Sequence, residues 1–254
     1  MFSLTEKKIL SLYKSHQNDL KHLRSQAKIH LKKNKVNTML DDLEAEITYL
    51  LLRNYKPKVT VEISPYEGWS TIWLLNALKN NGYGKLYSYD LVDTSQKFVP
   101  QKLAQDRWQF FKGDVKKLAD KIPGSIDCLF IDSEHTRSFA DWYIKNVFPR
   151  LKKNALVMIH DIFHYPEEPW QFSEKPTILS WLKSQNINYI TATPVTAKGI
   201  LLYQNLIGLR ESLNIRKKIT DHNCNPMIFF IYKKGGSDKY FNLKGLLNSL
   251  RFRL

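Results

Sequence analysis

Apolar residues recur at spacings of three and four through the first part of the chain: Ile9, Tyr13, Leu20, Leu23, Ala27 and Leu31, with His16 in register. This period predicts a helix over 3–34, opened by a Ser3/Glu6 capping box and stopped at Asn34-Lys35. The stripe is narrow and the helix is basic. Such a helix is expected to pack on a partner helix, of its own domain or of a second copy in a homodimer. A second helix is expected from Thr38 and Asp41, with Met39, Leu40, Leu43, Ile47, Leu50 and Leu51 as a broad apolar face.

From Lys58 the pattern changes. Short β-branched and aromatic runs at 58–63, 85–90, 108–112, 126–132, 154–160, 187–192 and 227–232 read as strands. Helical segments fall between them at 69–80, 115–121, 136–150, 177–185 and 199–213. Strands alternating with helices imply a Rossmann-like, doubly wound α/β fold. The expected sheet has seven mostly parallel strands, helices on both faces and an N-terminal helical extension. The domain reading is 1–36 basic helical extension, 37–232 catalytic domain and 233–254 basic C-terminal tail.

The chemistry gathers where strands end. Val59-Thr60-Val61-Glu62-Ile63 runs into a turn, Ser64-Pro65-Tyr66-Glu67-Gly68, and then a helix. This strand-turn-helix unit is where doubly wound sheets bind nucleotide-like ligands. Asp90 closes the next strand about 20 residues on, the spacing at which a carboxylate accepts from a ribose diol. Glu62, Asp90, Asp114, Asp132 and Asp161 all fall at or near successive strand ends. As helix caps they would each have a structural explanation; as a set along one rim they point to a ligand site.

Composition changes this picture in one respect. The 254 residues are 43% hydrophobic, enough for one large core, and carry a formal net charge of +15. Residues 1–36 hold nine Lys and Arg against two acids, and residues 233–254 six against one. The basic ends therefore suit an anionic partner: nucleic acid, an acidic membrane surface or a phosphorylated substrate. No run is long enough to span a bilayer, and Met1 to Lys35 lacks the apolar stretch of a secretory leader. Cys128 and Cys224 are too few for a disulfide framework, so a cytoplasmic, reducing location is expected.

The ordered set Glu62 to Thr71, Asp90, Gly113-Asp114-Val115, Asp127 to His135 and His160-Asp161-Ile162-Phe163 resembles the motifs of class I S-adenosylmethionine-dependent methyltransferases. The nearest branch is the small-molecule and macrolide-sugar O-methyltransferases, and the resemblance spans about residues 40–232. It implies S-adenosyl-L-methionine as cofactor and a hydroxyl of a small molecule or glycan as acceptor. Glu62, Ser64, Tyr66 and Gly68 would lie at the methionine part, and Ser70 and Thr71 at its carboxylate. Asp90 would hold the ribose, with Asp114, Val115 and Asp132 completing the cofactor contacts.

Asp132 and Asp161, with His160, would hold a metal. Two hard carboxylates suit Mg²⁺, although histidine is a poorer ligand for it than the acid relatives carry at that position. His135 would be the general base, completing a catalytic set with Asp132 and Asp161. The family has glycine where Ser64 stands, and Pro65 biases Ser64 toward extended backbone. Phe163 to Pro176, with three prolines, Trp170 and Phe172, reads as a wall or lid of the acceptor site. The competing readings are a nucleic-acid methyltransferase that uses the basic ends and a non-catalytic scaffold that keeps the fold.

Overall fold

The computed structural model describes residues 4–164, 173–215, 217–221 and 225–233. Its elements in chain order are α1 (Glu6–Ser15), α2 (Gln17–Asn34), α3 (Asp42–Tyr55), β1 (Val59–Ile63), α4 (Trp69–Asn81), β2 (Lys85–Asp90), α5 (Ser95–Phe98), α6 (Gln101–Ala104), β3 (Trp108–Lys112), β4 (Ile126–Ile131), α7 (Arg137–Asn146), β5 (Leu151–Ile159), α8 (Glu174–Ser184), β6 (Tyr189–Ile190), α9 (Ile200–Ser212) and β7 (Ile228–Ile231).

The seven strands form one sheet in the order β3-β2-β1-β4-β5-β7-β6. Pairings from β3 through β5 are parallel, whereas β7 runs antiparallel to both β5 and β6. Chain order reverses direction between β1 and β4, so the crevice for a ligand opens above that junction. Alternation along the strands divides the core. Val61, Ile63, Leu129 and Ile131 face the layer of α7 and α8, while Cys128 and Phe130 face that of α1 to α4.

The expected first helix is two helices. Ser3 lies outside the described residues, and Thr5 caps α1 by accepting from the Lys8 N–H. His16 interrupts the helix with non-helical backbone (φ −113°, ψ 20°). The apolar stripe is buried against this chain's own α3 and α9, and its residues belong to the same core cluster as α3 and α4. The second helix starts three residues later than read. Asp41 and Glu44 form the capping box, and Met39 is exposed. The segment expected as a helix over 115–121 contains only a 3-10 turn, Ala119–Lys121.

One buried ionic cluster fastens α2 and α9 to α3. Asp42 Oδ2 accepts from Arg24 Nη1 and Arg210 Nη2, each at 3.2 Å. Glu46, fully buried, pairs with Arg24 and with Arg210 Nε, the latter at 3.0 Å. Asp42 Oδ1 also accepts from the Thr220 N–H at 3.1 Å. Two permanent cations meet two carboxylates, with further donors to spare.

Candidate functional site

The turn after β1 is built without the glycine usual there. Ser64 has φ 64° and Tyr66 φ 50°, both left-handed, so the extended backbone expected before Pro65 is not adopted. Three hydrogen bonds hold this costly geometry. The Ser64 N–H donates to Tyr89 O (2.8 Å), the Tyr66 N–H to Asp90 Oδ2 (2.8 Å), and the Gly68 N–H to Pro65 O (2.7 Å). Gly68 itself needs its φ of 83°, and a Cβ there would stand 2.6 Å from Val99 Cγ2.

Glu62 lies beneath this turn rather than open to it. It is fully buried, and its carboxylate accepts from Ser70 Oγ (2.7 Å), Thr71 Oγ1 (2.9 Å) and Ser88 Oγ (2.6 Å). Ser88 in turn accepts from Trp108 Nε1 at 2.9 Å. Burial pushes the Glu62 carboxyl up to about 7, against the hydroxyl hydrogen bonds, which act to lower it. The hydroxyls of Ser70 and Thr71 are therefore spent inward, not on a cofactor carboxylate. No side chain caps the N-terminus of α4, which leaves its dipole for an anion.

A cleft of about 200 Å³ opens at the carboxyl ends of β1, β2 and β3. Ser64, Asp90, Gly113, Asp114 and Val115 line it, and Ser133 and Glu134 close it toward β4. Four of the expected cofactor residues (Ser64, Asp90, Asp114, Val115) thus meet in one cavity. Tyr66 is exposed and Gly68 stands outside the lining. Asp90 also braces the walls, since its Oδ1 accepts from the Val92 N–H at 3.2 Å.

Beside the cleft, at the ends of β4 and β5, Asp132, His135, His160 and Asp161 bring one potential ligand atom each to within 4.8 Å of one another. His160 is buried, with Nδ1 3.1 Å from Asp132 Oδ1 and 3.2 Å from Asp161 Oδ1. His135 Nε2 lies 3.6 Å from Asp132 Oδ1 and 3.5 Å from Asp161 Oδ2. Asp161 is itself left-handed (φ 57°), and its Oδ1 makes no well-formed hydrogen bond despite its burial.

Two further acids complete this cluster. Glu44 of α3 puts Oε2 3.2 Å from His160 Nε2, and Glu174 of α8 puts Oε2 3.0 Å from His135 Nδ1. Both glutamates are buried. Glu44 is fixed by the N–H groups of Asp41 (3.1 Å) and Met227 (3.0 Å). The Glu174 N–H donates to His135 O at 2.8 Å, tying the start of α8 to the histidine's loop. Neither acid emerges from the sequence as a site residue, because each reads as an ordinary acid in the first turn of a helix.

The charges act on one another. Burial alone would depress both histidines, but the surrounding carboxylates prevail. His135 rises to about 10 through Asp132, Glu174 and Asp161, and His160 rises well above its ordinary value through Asp132 and Glu44. Burial would raise Asp132, yet the two imidazoles hold its carboxyl well below the usual range. Of the expected lid, residues 165–172 lie outside the described residues, as do Cys224 and all of the C-terminal tail after Lys233. No helix among the described residues is long and apolar enough to cross a membrane.

Residues 61–162 match the family model described as a methyltransferase domain. No curated protein matches the chain in sequence. Among solved structures, the O-methyltransferase TomG from Streptomyces achromogenes, involved in tomaymycin synthesis and in complex with SAM, is similar in fold. Its TM-score is 0.54 at 12% identity, covering 83% of this chain and 89% of that one. An O-methyltransferase from Bacillus cereus in complex with SAH gives TM-score 0.54 at 11% identity, covering 84% and 91%. A methyltransferase from Geobacter sulfurreducens gives 0.53 at 15% identity, covering 84% and 88%. The matched segment runs from β1 to the end of β5, the part that carries the cleft and the group Asp132, His135, His160 and Asp161, and the chain has the fold of the class I, S-adenosylmethionine-dependent methyltransferases.

Proposed function

We propose that the chain transfers a methyl group from S-adenosyl-L-methionine to a hydroxyl oxygen of a small molecule or glycan, with a divalent cation at the Asp132–Asp161 pair. The observation that carries this reading is adjacency. Ser133 and Glu134 line the Asp90–Asp114 cleft, and the neighbouring Asp132 belongs to the metal-competent cluster. A donor in the cleft would hold its sulfonium methyl toward that cluster. The sulfonium is positive, and the surplus of carboxylates along the rim favours it.

In this reading Asp90 takes the ribose hydroxyls while also accepting the Tyr66 N–H, so it couples the turn to the bound cofactor. Asp114 and Val115 face the adenine. The N-terminus of α4 takes the cofactor carboxylate through its dipole. Asp132, Asp161 and His160 would hold the cation. When bound, the cation would lower the pKa of the acceptor hydroxyl and so ease its loss of a proton.

The geometry speaks against His135 as the first proton acceptor. Its Nε2 faces the Asp132–Asp161 pair and its Nδ1 lies on Glu174, so a nitrogen turned toward the cation is not free to take the acceptor's proton.

Calorimetric titration with S-adenosyl-L-methionine tests the reading. One site per chain is expected, weakened at least tenfold in Asp90→Asn, which keeps the shape but loses the charge. Absence of binding in the parent chain contradicts methyl transfer, and unchanged affinity in the variant contradicts the ribose assignment.

A further inference from the structure

We propose that the strand-end cluster selects a first-row transition-metal dication of the Mn²⁺ to Zn²⁺ series over Mg²⁺, with Asp132, His135, His160 and Asp161 as ligands and Glu44 and Glu174 as the acids that aim the two imidazoles. The inference rests on the methyl-transfer reading for the cation's use, not for its binding.

The donor set is the first reason. Two carboxylate oxygens and two imidazole nitrogens converge within 4.8 Å. Mg²⁺ takes oxygen and water in octahedral geometry and gains little from nitrogen, whereas affinity for a site with imidazole rises from Mn²⁺ through Fe²⁺ to Co²⁺ and Zn²⁺.

The second reason is orientation. Each histidine turns one nitrogen to the carboxylate pair and lays the other on a buried glutamate. In His160 these are Nδ1 inward and Nε2 on Glu44; in His135 they are Nε2 inward and Nδ1 on Glu174. A carboxylate on the outer nitrogen fixes the tautomer, so that the inner nitrogen presents its lone pair. The two glutamates come from different helices on different sides of the site, so one local packing accident does not produce both.

The third reason is Asp161. Its strained backbone aims a carboxylate into the cluster, and its buried Oδ1 makes no well-formed hydrogen bond there, with only imidazole nitrogens beside it, His160 Nδ1 at 3.2 Å and His164 Nδ1 at 3.4 Å. A ligand to that oxygen would account for both features. His135 is the most exposed member, with 31% of its side chain accessible, so the open side of the cation would face solvent and the acceptor.

The test uses the full chain stripped with a chelator and titrated separately with Co²⁺ and Mg²⁺, with visible absorption reading the Co²⁺ ligand field. One Co²⁺ per chain is expected, at least a hundredfold tighter than Mg²⁺, with bands of nitrogen ligation. His135→Asn should weaken Co²⁺ tenfold or more. Glu174→Ala should do the same, and Glu174→Gln, whose amide oxygen still accepts from Nδ1, should restore most of the affinity. All three variants should keep the parent's circular-dichroism spectrum.

Equal affinity for the two ions overturns the proposal. So does absence of a one-to-one Co²⁺ complex, or Co²⁺ affinity unchanged in both His135→Asn and Glu174→Ala. Titration of the same samples with S-adenosyl-L-methionine separates the claims: cofactor binding without ion preference sinks only the metal assignment, and ion preference without cofactor binding sinks only methyl transfer.

Discussion

Helix α3 serves two buried charge clusters that differ in kind. Asp42 and Glu46, one turn apart, meet Arg24 and Arg210, while Glu44 between them points to His160. In the first cluster the cations are guanidiniums, which never lose their charge, and they equal the carboxylates in number. In the second, four carboxylates surround two imidazoles, whose charge depends on what else is bound. The first arrangement is complete in itself and fastens helices. The second carries surplus negative charge and directs nitrogens inward, which suits a site that takes up a cation. Burial alone does not separate structural charge from functional charge; the balance of sign and the identity of the cation do.

The largest effect should come from breaking the balanced cluster. Arg210→Met would strand the fully buried Glu46 with half of its compensation and should cost about 3–5 kcal/mol, read as a fall in denaturant midpoint. A loss below about 1 kcal/mol would mean that the cluster is not the fastening of α9.

Glu62 offers the intermediate case, a buried carboxyl with hydroxyl donors and, among the described residues, no cation paired with it. Its folded pKa, about 7, lies above its ordinary 4.5. The folded state therefore holds the proton more tightly, so its stabilising contribution is complete below about pH 4.5 and is lost as pH rises through 7. The loss is on the order of 3 kcal/mol. Glu62→Gln should flatten that decline in a stability profile between pH 5 and 8; an unchanged slope would place the titration elsewhere.

The smallest effect should come from an exposed pair. Lys112 and Asp93 stand 3.1 Å apart with about half of each side chain in solvent. Lys112→Ala should leave the melting temperature within error, and a clear fall would show that accessibility is a poor guide to the weight of charge in this chain.

The sheet was legible because its signals are local. Short β-branched or aromatic runs appear in order, and those of β1, β2, β4 and β5 end at or near an acid, whichever strand each later pairs with. Asp90, Asp114, Asp132 and Asp161 could be named for the same reason. Glu44 and Glu174 could not, since a helix-opening acid looks the same whether or not a histidine folds against it, and His160 lies 116 residues from Glu44. Ser64 misled for the opposite reason: the proline rule is local, and hydrogen bonds donated by the turn to Tyr89 O and Asp90 Oδ2 across the sheet override it. Ser70 and Thr71 were expected to face the ligand, yet Glu62 behind them draws their hydroxyls inward. Arg24 lies on a helix whose charge suggested an anionic partner outside the chain, and only the fold reveals the acids that bury it.

The most direct measurement is a crystal structure of the full chain with S-adenosylhomocysteine and Co²⁺, using anomalous scattering to locate the ion. The ribose should rest on Asp90, and a single cobalt peak should fall within bonding distance of Asp132, His135, His160 and Asp161, next to the homocysteine sulfur. A cofactor bound away from the Asp90–Asp114 cleft, or cobalt absent from the four-residue cluster, would contradict a methyl-transfer site built on this rim.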